Sequence, residues 1–262
     1  MEEILQHFRE DEQPFVIQAK EWIADVVLRY TPKLTAFLDP RQIAIITSLV
    51  GHNGDVKVQT SGGFIEAERQ RVLLYPDYFE PEKNDFELVV YELRYPAKFL
   101  QLKHGDVLGA LMATGLDRGK FGDIRIDGEK IQFVIQKAFA SFIMVNLESI
   151  HKAKVHLMEV TEEAHYLLPQ DQWTEQYDTV SSLRLDTVIA SVYKISRQKA
   201  SQLIQAGKVK VNHQQQEQGT MELEEQDLIS IRGFGRSMIR SIEGRTKKDK
   251  IRIVFGKLER KR

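Results

Sequence analysis

Apolar positions first recur at helical spacing between residues 13 and 30, where Val16, Ala19, Trp22, Ile23, Val26, Val27 and Tyr30 share one side of a 3.6-residue repeat. Thr31-Pro32 stops that helix. Asp39-Pro40 then opens another, with an N-cap and a proline at the first helical position, and Gly51 stands where it would end. The period next changes to two. Val56, Val58 and Thr60 alternate toward Ser61-Gly62-Gly63, and a second extended run passes through Arg71-Val72-Leu73-Leu74, which predicts a hairpin. These elements define an N-terminal α/β domain over residues 1–81.

Residues 82–160 carry a more regular pattern. Phe86 to Leu93 is an extended apolar run, and Asp106 is placed to cap a helix bearing Leu108, Leu111 and Met112 that Gly115 closes. Ile124 and Ile126 lead to the turn Asp127-Gly128, after which Ile131, Phe133 and Ile135 alternate. Asp-Gly between alternating runs is a strong hairpin signal, with those three residues inward and Lys130, Gln132 and Val134 outward. A helix through Phe139, Phe142, Ile143, Leu147 and Ile150 and a strand from Val155 to Val160 complete a β-α-β-β-α-β order. That order is ferredoxin-like, the architecture of RNA-recognition motifs. Such motifs stack bases on sheet aromatics, and the outward positions of this hairpin hold none. Arg118, Lys120 and Arg125 read as surface charge. Residues 161–182 are acidic and poorly periodic and read as a linker.

The last segment, residues 183–262, combines helices and short strands. Leu185, Val188, Ile189 and Val192 face inward on one helix; Ser196 caps a second, whose Ala200, Leu203 and Ile204 form an apolar stripe that Gly207 ends. Lys208-Val209-Lys210-Val211-Asn212 and Leu228 to Arg232 are strands, followed by Gly233-Phe234-Gly235-Arg236. The chain is therefore expected to be a multidomain α+β protein.

Charge changes the picture more than composition does. Net charge over the 262 residues is −1. Residues 1–182 nevertheless hold 19 Lys+Arg against 29 Asp+Glu, and residues 183–262 hold 18 against 9. A basic end on an acidic body suggests one part that seeks polyanions. The tail from Arg245 to Arg262 has nine basic and two acidic residues around Ile251-Arg252-Ile253-Val254-Phe255. Cysteine is absent, so disulfides and thiolate chemistry are excluded. No secretory signal opens the chain, and no apolar run approaches the ~18 residues of a membrane span. A cytoplasmic protein without membrane contact is expected.

Arg184-Leu185-Asp186, Ser196-Arg197-Gln198-Lys199-Ala200, Leu203-Ile204, the run Gly207 to Asn212 and Asp227 to Arg232 together closely resemble the S4 domain. Gln226 departs from the glycine usual in that family. The resemblance implies RNA contacts at Arg184, Ser196, Arg197, Lys199, Gln202, Lys208, Lys210, Asn212 and Arg232, and Arg236 joins them. Phosphates would supply affinity through lysine and arginine, with shape and base contacts adding selectivity. Further upstream, Lys103-His104-Gly105-Asp106, Leu108 to Leu111, Gly115 and Arg118 through Ile124 look like the hallmark stretch of the YlmH family. Membership implies an RRM-like middle domain and binding of rRNA or tRNA. It also implies association with large ribosomal subunits still carrying peptidyl-tRNA, in ribosome-associated quality control. No DNA partner and no cofactor is implied.

Enzyme readings find little support. Arg184-Leu185-Asp186 is also the catalytic tripeptide of pseudouridine synthases, but here it lies within the S4 helix and reads as a helix start. Methyltransferase folds need a glycine-rich loop between strand and helix, whereas Gly62-Gly63 and Gly233-Gly235 look like turns between extended segments. The histidines show no paired metal spacing, and His104 reads as a turn residue. A non-enzymatic protein is expected. The alternatives are an RNA-modifying enzyme targeted by its S4 domain, or an RNA-tethered adaptor linked to cell division.

Overall fold

The computed structural model describes residues 5, 6, 8–51, 54–169 and 173–258. The chain divides into two compact units, residues 1–170 and 171–262.

The first unit opens with helix α1 (Gln13–Arg29), strand β1 (Lys33–Leu38), helix α2 (Pro40–Val50) and the hairpin β2 (Val56–Ser61) and β3 (Gln70–Pro76). Asp39 and Gln42 form a reciprocal capping box at the start of α2: the Asp39 carboxylate accepts from the Gln42 N–H at 2.9 Å, and the Gln42 amide oxygen from the Asp39 N–H at 3.0 Å. The three strands lie in the order β1-β3-β2, all antiparallel, and the helices cover one face through Ala19, Val26 and Ile46. Strand β1 is an addition to the elements expected from the sequence.

The chain continues through β4 (Leu88–Arg94), α3 (His104–Ala113), β5 (Phe121–Asp127), β6 (Lys130–Gln136), α4 (Ala140–Asn146), the small hairpin β7 (Ser149–Ile150) and β8 (Ala153–Lys154), and β9 (His156–Glu159). Sheet order β5-β6-β4-β9 is the ferredoxin-like arrangement that the sequence predicts. Helix α3 begins earlier than expected: Asp106 sits inside its first turn, where its carboxylate accepts from the Lys103 N–H at 2.8 Å. Helix α4 is shorter than expected. Phe142 is exposed, and Ile150 belongs to β7, because the chain turns back at Leu147 to close the β7–β8 hairpin.

Both faces of β6 are buried, which corrects the outward assignment of Gln132 and Val134. Ile131, Phe133 and Ile135 pack against the helices. On the other face, Val134 joins Val90, Phe37, Phe64 and Ala67, so the N-terminal domain lies over the sheet. Gln132 donates to the His165 carbonyl at 3.0 Å and accepts from the Leu167 N–H at 2.9 Å. Arg125 is likewise buried, its guanidinium 4.5 Å over the Phe64 ring and donating to the carbonyls of Leu167 and Ile65. Arg118 donates to the Phe121 and Gly122 carbonyls, and burial lowers its pKa to about 10, aided by nearby Arg69. Neither arginine is the surface charge that the sequence suggests; Lys120 pairs with Asp117 at 3.8 Å and lies over the Phe139 ring.

Gly122 makes the close approach possible. A Cβ there would stand 2.7 Å from Phe37 Cε1 and 3.1 Å from Val134 Cβ, both in a packed core. Gly122→Ala is therefore expected to destabilise the first unit by about 1–3 kcal/mol, measured by urea unfolding.

The second unit contains β10 (Thr174–Val180), α5 (Leu185–Val192), α6 (Arg197–Gln205), β11 (Val209–Val211), β12 (Gln214–Gln215), β13 (Leu228–Ile231), β14 (Gly235–Arg245) and β15 (Ile251–Leu258). Its six strands run β10-β15-β14-β13-β11-β12, and α5 and α6 cover one face through Leu185, Ile189, Leu203 and Ile204. The linker expected over 161–182 is structured at both ends. Tyr166 meets Phe64 edge-on at 5.7 Å in the first unit, whereas β10 pairs with β15 along its whole length. Asp178 hides the strand pattern: an acidic side chain occupies an inward position because Ser191 and Lys194 each donate to it at 2.6 Å. The basic tail also folds, with Ile251, Ile253 and Phe255 in the core; residues 259–262 lie outside the described residues.

Candidate RNA-binding surface

The predicted contact residues fall into three groups. The first gathers at Asp186, a side chain 6 % exposed. Arg184, the N-cap residue of α5, donates to its two oxygens at 3.2 and 2.9 Å; Arg197, in the first turn of α6, reaches the same carboxylate at 3.0 Å. The Thr187 hydroxyl also donates to it, at 3.1 Å. Burial pushes the Asp186 carboxyl upward, but the two guanidiniums and Thr187 outweigh it and hold the group below the usual carboxylate range. The Arg184 pKa is raised by its hydrogen bond to Asp186. This clamp ties the start of α5 to the start of α6 and leaves one net positive charge for two arginines.

A carboxyl with a depressed pKa stabilises the fold above its unfolded value of about 4, and that stabilisation is lost as pH falls through the folded value. The second unit should thus weaken below about pH 4. Asp186→Asn should flatten that acid limb and lower stability at neutral pH by about 1–2 kcal/mol, a figure discounted for the exposure of both arginines. Thermal melts across pH would show it.

The second group is exposed. Ser196 caps α6, accepting from the Lys199 N–H at 3.1 Å, and Lys199 and Gln202 point to solvent from that helix. Val209 and Val211 face the helices, so alternation sends Lys208 and Lys210 to the other face of the sheet. The Arg232 N–H donates to the Lys208 carbonyl at 2.9 Å, setting the two cations side by side, while Lys210 faces Ser230 and Ser230 faces Arg236. Among the described residues, no carboxylate pairs with Lys199, Lys208, Lys210 or Arg232.

Arg236 and Asn212 are engaged internally. Arg236 and Arg240 lie over the Trp173 ring at 5.8 and 5.5 Å, an arrangement that preserves both charges and one that sequence reading missed, because Trp173 precedes a strand taken as linker. Asn212, at φ 48°, donates to Asp227 at 2.8 Å and accepts from the Leu228 N–H at 2.9 Å. Its side chain ties β11 to β13.

Comparison with known proteins follows this division. Residues 11–79 match the model of the YlmH N-terminal domain, residues 81–164 that of a candidate RNA-binding domain in YlmH, and residues 183–229 that of the S4 domain. The chain is 44% identical over 255 residues to the Bacillus subtilis (strain 168) ribosome-associated protein quality control protein P2, covering 97% of this chain and 98% of that one. A solved structure, the cell division protein ylmH from Streptococcus pneumoniae, matches with a TM-score of 0.52 at 38% identity, over 59% of this chain and 93% of that one. The chain belongs to the YlmH family.

Proposed function

We propose that this protein is a non-enzymatic RNA-binding factor of ribosome-associated quality control. Its C-terminal unit engages rRNA or tRNA on large ribosomal subunits stalled with peptidyl-tRNA, in the cytoplasm. The observation that carries this reading is the set of exposed, unpaired cations at Lys199, Lys208 and Lys210 within the S4 match and at Arg232 just beyond it. The role given in the name of the Bacillus relative supports the process. No helix among the described residues is long and apolar enough to cross a membrane.

Electrostatic binding of this kind is salt-dependent. With about five phosphates engaged, affinity should fall two to three decades between ~50 and 200 mM salt. Co-sedimentation with purified large subunits across that range tests the reading; a chain that stays in the supernatant at low salt contradicts it. The nucleoside modification profile of rRNA and tRNA should be unchanged when the gene is deleted, and a lost modification would favour the enzyme reading.

A further inference from the structure

We propose that the middle domain carries a second RNA site, distinct from the S4 surface: a groove between α4 and the β7–β8 hairpin that takes an unpaired nucleotide of a single strand. The proposal rests on the reading of the protein as RNA-binding. Its starting point is a steric exclusion. A ferredoxin-like RNA-recognition motif reads bases on its open sheet face, and here Phe37, Phe64 and Ala67 cover that face. Any RNA contact by this domain must lie elsewhere.

The groove has a volume of about 610 Å³, within the ~300–1,000 Å³ typical of small-molecule sites. Its floor is apolar: Leu147 and Val155 are almost fully buried, and Leu157 and the largely exposed Met144 flank them. Lys152 and Lys154 stand on the rim, exposed and without a carboxylate partner among the described residues. His151, whose Nε2 bonds Asp106 at 3.1 Å, and His156 also line the groove. Glu148 is the one acidic lining residue. An apolar floor beneath paired ammonium groups matches a nucleotide, with the base on the floor and the flanking phosphates on the lysines. Ser149 and the imidazoles can bond base edges or the 2′-hydroxyl, which distinguishes RNA. The setting sharpens the match. Residues 1–182 carry 29 acidic against 19 basic side chains, so a polyanion would be repelled from much of the remaining surface.

The test uses the full chain and a thiouridine-substituted oligouridylate, read by salt-dependent affinity and by mapping photo-crosslinked peptides. Lys152→Glu with Lys154→Glu should lower the log–log salt slope by about 1.4, at roughly 0.7 per phosphate on single strands. It should abolish crosslinks to residues 144–157 while preserving those in residues 197–236. The urea midpoint should not move, because both lysines are exposed. An unchanged slope, or wild-type crosslinks confined to residues 183–258, would overturn the groove site and leave this surface to a protein partner. Binding of ribosomal RNA without the oligomer at low salt overturns the groove alone, whereas failure of the wild-type chain to bind either RNA overturns the proposed function and the groove together.

Discussion

Replacing Lys199, Lys208, Lys210 and Arg232 together by glutamate is expected to lower the affinity for ribosomal RNA by more than a hundredfold at moderate salt. The log–log salt slope should fall by about 3, since each phosphate contact contributes roughly 0.7–0.9. All four side chains are exposed and make no ion pair among the described residues, so the unit should still fold and its melt should be close to wild type. Arg197 is a poorer target than its exposure suggests. Glutamate there would face the Asp186 carboxylate that Arg197 now neutralises at 3.0 Å, and lost affinity could not be separated from a weakened helix pair. Retained affinity in the quadruple variant would place the RNA on another surface.

The largest stability effect is expected at Arg71, in the first unit. Its guanidinium is buried and donates to the carbonyls of Thr35 at 2.7 Å, Phe86 at 2.9 Å and Glu87 at 3.3 Å, with the Glu87 carboxylate 3.8 Å away. It thereby ties the N-terminal sheet to the start of the ferredoxin-like sheet. Burial lowers its pKa to about 10, with Glu87 opposing the shift, so it remains charged at neutral pH. Arg71→Leu removes the guanidinium donor from the Thr35 and Phe86 carbonyls, while the Glu87 carbonyl keeps the Lys137 N–H at 2.7 Å. A loss of about 3–5 kcal/mol in urea unfolding is expected. A loss below about 1 kcal/mol would mean that the apolar contact of Phe37, Phe64 and Val134 suffices to hold the two domains together.

Much of this fold is legible in the sequence because its helices carry clean apolar stripes and explicit punctuation. Asp39-Pro40, Asp127-Gly128, Ser196 and Gly207 each stand at or beside the boundary they signal. The failures share a physical cause: burial without hydrophobicity. Gln132 and Gln136 are buried because loop carbonyls and an amide N–H satisfy them, and a buried glutamine looks the same in sequence as an exposed one. Thr35 and Arg71 do the same for β1 and β3, where the Thr35 hydroxyl accepts from the Val72 N–H at 2.9 Å. In β10, Asp178 occupies an inward position because Ser191 and Lys194 meet it. Residue type and position in the S4 segment identify the cations, but not their commitments. Lys208 and Lys210 point outward as strand alternation requires, while Asp186 claims Arg184 and Arg197 and Asp227 claims Asn212.

Docking on ribosomal RNA, as proposed, would use the exposed cations of the C-terminal unit. Crosslinking the full chain to large ribosomal subunits carrying peptidyl-tRNA, and mapping the modified peptides, tests it most directly. Crosslinks should be frequent at the peptides containing Lys199, Lys208, Lys210 and Arg232, and absent from the covered sheet residues Val90 and Val134. A map with no crosslink between residues 196 and 236, on subunits that demonstrably hold the protein, would contradict the account.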